Sequence, residues 1–347
     1  MTAASLSADS RSHDGLALVQ PRRLVLPAPL LWFPLRPGDR VLVQSGESVL
    51  VGTPLAELIV NGHLTQVVPN RGGAMLRPGD RWTGAAAARG ALRARRPSSG
   101  GGEALFEVGG HWRVATGEGG GLLEAPAAGI VRDVRPGVGI RFQVAGGGIV
   151  GVRSVGAPAR GRLEIAASRE GEVRPAGLDV GRAGSILVVG SRADAEMLTR
   201  ARAMGIRGII VAALASKDLR DFAASEARQR AGLHRLPPFA VLVIDGAIRR
   251  PMPSALMALF DALAGADVAI SGEPPLLLFD ATSLALPIPS RDRVRIRQGP
   301  MAGREGTWSG LAGIRRFRAG VHAESGFVTL ENDPPIAVPL ADLERFV

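Results

Sequence analysis

The chain has no cysteine and no tyrosine among its 347 residues, and Lys217 is its single lysine. Without cysteine there is no disulfide framework and no thiolate metal site, which suits a reducing cytoplasm. The five histidines (His13, His63, His111, His234 and His322) are too far apart in sequence to form a local metal-binding pair. No apolar run approaches the length of a membrane span. The longest candidate, 24–35, is interrupted by Pro27, Pro29 and Pro34. The first residues are small and polar without a charged-then-apolar leader pattern, so 1–20 is expected to be a disordered tail. No Walker-type glycine-lysine loop, three-glycine dinucleotide fingerprint or Gly-x-Ser-x-Gly elbow is present. No catalytic residue, metal or cofactor is therefore assigned.

Arginine, glycine and proline are plentiful. The net charge is +10, and arginine supplies all but one of the 42 basic residues. The guanidinium pairs with phosphate in a two-pronged fork and stacks on bases, so an arginine-rich surface suits nucleic acid. A GC-rich coding sequence also yields abundant Ala, Gly and Arg with little lysine. Position therefore matters more than number. The 46 glycines and 25 prolines, with aromatics at 4 %, point to many short strands and turns.

The most informative segment lies near the carboxy terminus. In Arg293-Val-Arg-Ile-Arg297 the apolar residues Val294 and Ile296 alternate with arginine, the period of a strand with one buried and one basic face. Gly299-Pro300 marks a turn, and Gly303 and Gly306 are expected to supply positive φ in the loop leading to Trp308. This pattern resembles a KOW motif on a small SH3-like barrel, a family found in transcription elongation factors of the NusG type and in ribosomal proteins. The resemblance implies a nucleic-acid or transcription/translation partner. A long insertion between Trp308 and Phe327 departs from the family pattern. That insertion contains Gly313-Ile-Arg-Arg-Phe-Arg318, three arginines around one aromatic. The candidate nucleic-acid-binding residues are Arg295, Arg297, Arg304, Arg315, Arg316, Phe317 and Arg318.

Between 185 and 280 the pattern changes. Four apolar runs (185–189, 208–211, 240–244 and 276–279) have the composition of strands buried on both faces of a parallel sheet. The stretches 194–204, 217–230 and 254–264 have helical periodicity, and Ser191 with Asp194 reads as the cap of the first. In such sheets ligands bind where strands end, which nominates Gly190, Ser191 and Asp245.

Earlier in the chain, Leu35-Arg-Pro-Gly-Asp-Arg40 is echoed at 76–81 and, in part, at 134–137. The segments 38–58 and 124–139 resemble the two half-motifs of biotinyl- and lipoyl-type barrel-sandwich domains. The resemblance implies that the halves close one β domain. Carrier members of that family hold biotin or lipoate on a hairpin lysine. Lys217 lies far from these segments, so no covalent biotin or lipoate is expected.

The expected fold is multidomain α/β and all-β. After the tail come a barrel-sandwich-like β domain at 21–180 with a flexible insertion at 84–102, a central parallel α/β (Rossmann-like) domain at 181–288, and an SH3-like barrel at 289–347. The expected function is a non-enzymatic cytoplasmic adaptor touching RNA, DNA or a transcription/translation complex, with no membrane role. Two alternatives are a protein–protein scaffold without nucleic acid, and an enzyme or small-ligand sensor using the α/β switch point.

Overall fold

The apolar runs at the centre of the chain form strands because both of their faces are covered. In the computed structural model, which describes residues 15–66, 94–98, 101–108, 111–232, 237–280, 287, 290, 292–318, 320–331 and 333–347 (backbone alone over 60–120, 227 and 230–232), alternate residues of each run enter different cores. Ile186, Val188, Ile210, Leu242 and Ile244 face one cluster, and Leu187, Val189, Ile209, Val211, Val241 and Val243 face the other. The first cluster is closed by helix α3 (Ser254–Leu263), whose Leu256, Leu259, Phe260 and Leu263 fall on one stripe. The second is closed by α1 (Ala195–Ala203) and α2 (Ser216–Gly232) through Met197, Leu198, Ala201 and Phe222. Phe222 leans on Phe239 at a centroid separation of 5.6 Å.

The sheet between these cores corrects the expected fold class. The protein is mostly β, with three α-helices among the described residues, and no self-contained parallel Rossmann-like domain forms. Ala159–Ile165, Ser185–Val188, Gly208–Leu214 and Ala240–Gly246 are mutually parallel neighbours. They sit inside a ten-stranded mixed sheet. Arg153–Gly156 adds antiparallel to one side, and Asp267–Ile270 followed by Leu276–Phe279 adds antiparallel to the other. The run at 276–279 is thus fully buried as expected but runs against its partner. An apolar run reports burial on both faces, and burial does not encode strand direction.

The chain divides into two discontinuous units: Met1–Leu26 with Gly148–Phe279 and Ser283–Val347, and Pro27–Gly147 with Asp280–Thr282. The expected boundaries near 180 and 288 are not the observed ones. The first unit also contains a six-stranded sheet in the order Gln20–Arg22, Leu343–Phe346, Arg293–Ile296, Glu305–Arg316, His322–Leu330, Ile336–Pro339. Its core joins Val294, Ile296, Trp308, Val328, Leu330 and Leu343 to Leu16 and Val19, residues that fall within the expected tail. Gln20–Arg22 runs parallel to Leu343–Phe346 as the outermost strand. Residues 1–14 of the expected tail lie outside the described residues.

Gly299 and Gly303 have φ of +82° and +91°, as the turn chemistry requires. Gly306 does not. It lies within a strand, and a Cβ there would stand 2.5 Å from the Thr329 carbonyl oxygen. The long insertion after Trp308 extends two paired strands into a hairpin, with register shifts at Gly310 and Gly313.

In the second unit the two half-motif segments pair with each other. Ser48–Val49 lies against Gly129–Arg135, and Pro54–Gln66 against His111–Glu124. Gly46 donates to the Val131 carbonyl at 2.7 Å, and Val131 returns a bond to Glu47 at 2.9 Å. The Arg36–Asp39 turn is held by Asp39, which accepts from the Arg36 amide at 2.6 Å and from the Ile59 amide at 2.8 Å. Its sequence echo at 76–81 lies outside the described residues. So does part of the expected 84–102 insertion, of which Ala94–Ser98 and the start of Gly101–Val108 are strands.

Gly326 gives a direct check on the tail sheet. A Cβ there would lie 2.0 Å from the buried Trp308 ring, so Gly326→Ala is expected to cost at least about 1–3 kcal/mol by overpacking. Urea unfolding should show a lower midpoint with an unchanged slope. An unchanged midpoint would mean that Trp308 is not seated on this strand.

Candidate functional site

The period-two pattern of Arg293–Ile296 is formed as read, with Val294 and Ile296 in the tail core. The opposite face of that strand is not solvent, because it lies on the end of the Ala240–Gly246 strand and the segment after it. Arg295 is therefore 1 % exposed. Its Nη2 donates to Asp245 Oδ2 at 2.7 Å and to the Pro251 carbonyl at 2.8 Å, and its Nη1 donates to Glu344 Oε1 at 3.2 Å. This corrects its assignment as a surface contact for nucleic acid.

Asp245 is equally buried and holds a second guanidinium. Arg22 Nη1 lies 2.5 Å from Asp245 Oδ1 and 3.3 Å from Glu344 Oε1, and Arg22 Nη2 donates to the Ile244 carbonyl at 2.9 Å. Burial alone would raise the Asp245 pKa. The hydrogen bond and charge of Arg295, then the charge and hydrogen bond of Arg22, outweigh burial and hold it below the ordinary value. Burial likewise works against the Arg295 cation, but Asp245 and then the Glu344 and Glu305 charges keep it protonated, with its pKa raised.

The other nominated ligand residues do not join Asp245. Gly190, at φ +82°, lies where a Cβ would meet the Gly171 and Ser168 carbonyl oxygens at 2.3 and 2.5 Å. Ser191 is buried, and its Oγ donates to the Glu170 and Gly171 carbonyls at 3.1 Å each. Ser191 therefore ties down the 168–172 segment rather than capping α1. The cap is Asp194, which accepts from the Met197 amide at 2.8 Å.

A second carboxylate anchors the tail sheet to the larger one. Pro253, at the cap position of α3, makes no side-chain cap bond. Glu305 fills the role from the tail strand. Its Oε1 accepts from the Ser254 amide at 2.8 Å, and its Oε2 accepts from the Ser254 hydroxyl. Arg169 and Arg293 neutralise it at 2.8 and 3.3 Å.

The remaining predicted residues lie on the surface. Arg304 pairs with Asp333 at 3.0 Å, both about half exposed. Arg297 bonds Gln20 and stands 3.8 Å from Glu344. Arg315, Arg316 and Arg318 are exposed at the hairpin end, with Phe317 half-buried. Arg315 lies 5.7 Å from the Phe327 ring centroid and donates from Nε to the Ala312 carbonyl at 3.0 Å. No carboxylate occurs from 309 to 323. Ile314 is 70 % exposed on the same tip. Arg22, Glu344, Glu305 and Arg250 were not nominated from the sequence. Glu344 sits between buried Leu343 and half-buried Arg345, which gives no alternation to mark it.

Among the described residues no group of three or more His, Asp or Glu could hold a metal, and no helix is long and apolar enough to cross a membrane. His234 and His13 lie outside the described residues.

The buried cluster carries two expectations. Arg295→Met leaves Asp245 with one cation instead of two and should cost roughly 3 kcal/mol in chemical denaturation, part of it recovered by adding Asp245→Asn. The Asp245 pKa is depressed on folding, so its contribution is complete above the unfolded value near 3.8 and is lost as pH falls through the lower folded value. Asp245→Asn should therefore flatten the acid limb of a stability–pH curve below that value while leaving the neutral-to-alkaline limb parallel to the parent. Identical acid limbs would contradict the pairing.

No protein-family model matches the chain, and no curated protein matches it significantly, so a functional reading rests on the chemistry of these residues.

Proposed function

We propose that the protein is a non-enzymatic binding or adaptor module whose hairpin, Glu305–Arg316 with His322–Leu330, engages the phosphate backbone of RNA or DNA. The observation that supports this reading is the separation of charge along one element. At the hairpin root, Glu305 and Trp308 are buried and fixed. At its tip, Arg315, Arg316 and Arg318 are exposed, with no carboxylate among the neighbouring residues in sequence until Glu324. Elsewhere in the first unit, by contrast, Arg22, Arg169, Arg249, Arg293, Arg295 and Arg304 face acidic partners. Guanidiniums without an ion-pair partner among the described residues, set on a hairpin, release counterions when they meet phosphate, and that release supplies sequence-independent affinity. Phe317 offers a ring beside them for stacking.

The KOW resemblance of 293–308 supports the same partner class, and under this reading the protein acts beside a transcription or translation complex in the cytoplasm. Under this reading the β unit 27–147 is a docking scaffold for protein partners. One feature favours a protein contact at the hairpin too: Leu311, Ile314 and Val321 are exposed beside the arginines.

The test is fluorescence anisotropy with single-stranded RNA and duplex DNA over a range of salt. Log affinity should fall linearly with log salt, and Arg315→Ala/Arg316→Ala/Arg318→Ala should reduce the slope by about 2 to 3, near 0.7–0.9 per contact. Salt-independent affinity, or a slope that survives the triple substitution, would refute the nucleic-acid reading. Retained capture of proteins from nuclease-treated lysate, lost on Ile314→Ser, would favour the scaffold instead.

A further inference from the structure

Beside Asp245, inside the first unit, lies a half-open cavity of about 220 Å³ lined by Gln20, Arg22, Asp245, Arg250, Arg297 and Glu344 among others. At about 30 Å³ of liquid per water it holds several waters' worth of space. Its carboxylates are already committed. Asp245 gives Oδ1 to Arg22 and Oδ2 to Arg295. Glu344 gives Oε1 to the same two arginines and turns Oε2 toward Arg297. The cations are not all committed. Arg250 makes no hydrogen bond or ion pair among the described residues, and its Nε is buried without an acceptor. Arg297 uses Nη1 on Gln20 and turns Nε toward Glu344, and among the described residues its Nη2 has no acceptor. Three guanidiniums (Arg22, Arg250 and Arg297) thus line the cavity against two carboxylates, both of which also hold Arg295, so positive charge is in excess and a buried donor is left over.

From this we infer that the cavity binds a small tetrahedral oxyanion, of which a phosphoryl group is the biological example, on Arg250 and Arg297. A buried donor without an acceptor is costly, and a tetrahedral oxyanion supplies acceptors that match guanidinium forks. Arg22 and Arg295, held in place by Asp245 and Glu344, set the positive field without moving. The ligand's negative charge offsets the excess, and the compact volume suits a small anion or the phosphoryl end of a larger molecule. The site is separate from the hairpin tip and does not depend on the nucleic-acid reading. The group can come from free orthophosphate or from the end of a phosphate monoester.

Calorimetric titration of the full chain at constant ionic strength tests this, with orthophosphate in one arm and a nucleoside 5′-monophosphate in the other. At least one ligand should bind one-to-one, and Arg250→Gln should weaken it by about tenfold or more, the loss expected for charge-assisted bonds. Arg250→Lys, which keeps the charge and loses the fork, should fall between. Tighter binding of orthophosphate assigns the free ion, and tighter binding of the monoester assigns a phosphoryl head group. Arg250 bonds no group among the described residues, so Arg250→Gln should fold with parental thermal stability in chloride. Phosphate should then raise the melting temperature of the parent alone. The hairpin triple variant should bind both ligands as the parent does. No saturable binding of either ligand, or equal binding by parent and Arg250→Gln, would overturn the inference.

Discussion

Asp245 and Arg295 meet at 2.7 Å with 1 % exposure on each side, and the packing of the first unit depends on both charges staying satisfied. Two ions removed from water recover their hydration only through good geometry and further hydrogen bonds. Here those bonds come from several parts of the chain. Arg22 arrives on the outermost strand of the tail sheet, Glu344 on the strand beside it, the Ile244 carbonyl on the strand that carries Asp245, and the Pro251 carbonyl on the segment after that strand. A shift of any of these strands by one residue would turn its ionic side chain to the other face and strand a charge. The cluster therefore specifies register between sheets, a role that apolar packing of similar volume fills less selectively.

Glu305 extends the same logic to a helix. Four amides at a helix start have no partner within the helix, and the sequence before α3, Arg250-Pro-Met-Pro253, offers no side chain to accept from them. The acceptor comes from the tail strand 51 residues later. The tail sheet is consequently part of the unit that carries α3, not a module appended after residue 288. Phe346 makes the same point in apolar terms, because it belongs to the cluster beneath α3.

What the sequence made legible follows from which interactions are local. The runs 185–189, 208–211 and 240–244 announced themselves because burial on two faces demands unbroken apolar side chains. The helices 194–204, 217–230 and 254–264 were bounded to within a few residues because their apolar stripes repeat within a turn. Asp194 and Ser191 compete for one cap, and only the fold decides that Ser191 turns to Glu170 and Gly171. Arg295 misled for a related reason. Alternation says that it faces away from Val294, but it cannot say whether that second face meets water or another sheet. The missing information lay in Asp245, Arg22 and Glu344, whose mutual bonds with Arg295 and one another span 49 to 322 residues of sequence, where no local pattern operates. Leu276–Phe279 shows the same limit in topology, since burial was readable and direction was not.

These placements change what arginine abundance means. A guanidinium that must satisfy Asp245, Glu344 and a backbone carbonyl at once, as Arg295 does, exploits a planar fork that an ammonium lacks. Arg22 is in the same position. Exposed arginines such as Arg304 beside Asp333 carry no such demand, and their identity is compatible with codon usage alone. The tip residues Arg315, Arg316 and Arg318 and the cavity residues Arg250 and Arg297 belong to neither class. The two groups differ in kind. The tip cations are solvated, share no fixed geometry and suit a repeating backbone of phosphates. The cavity cations are partly dehydrated around a fixed volume and suit one compact anion. A basic protein with a single lysine thus divides its arginines by burial, and that division, more than the net charge of +10, tells scaffold from site.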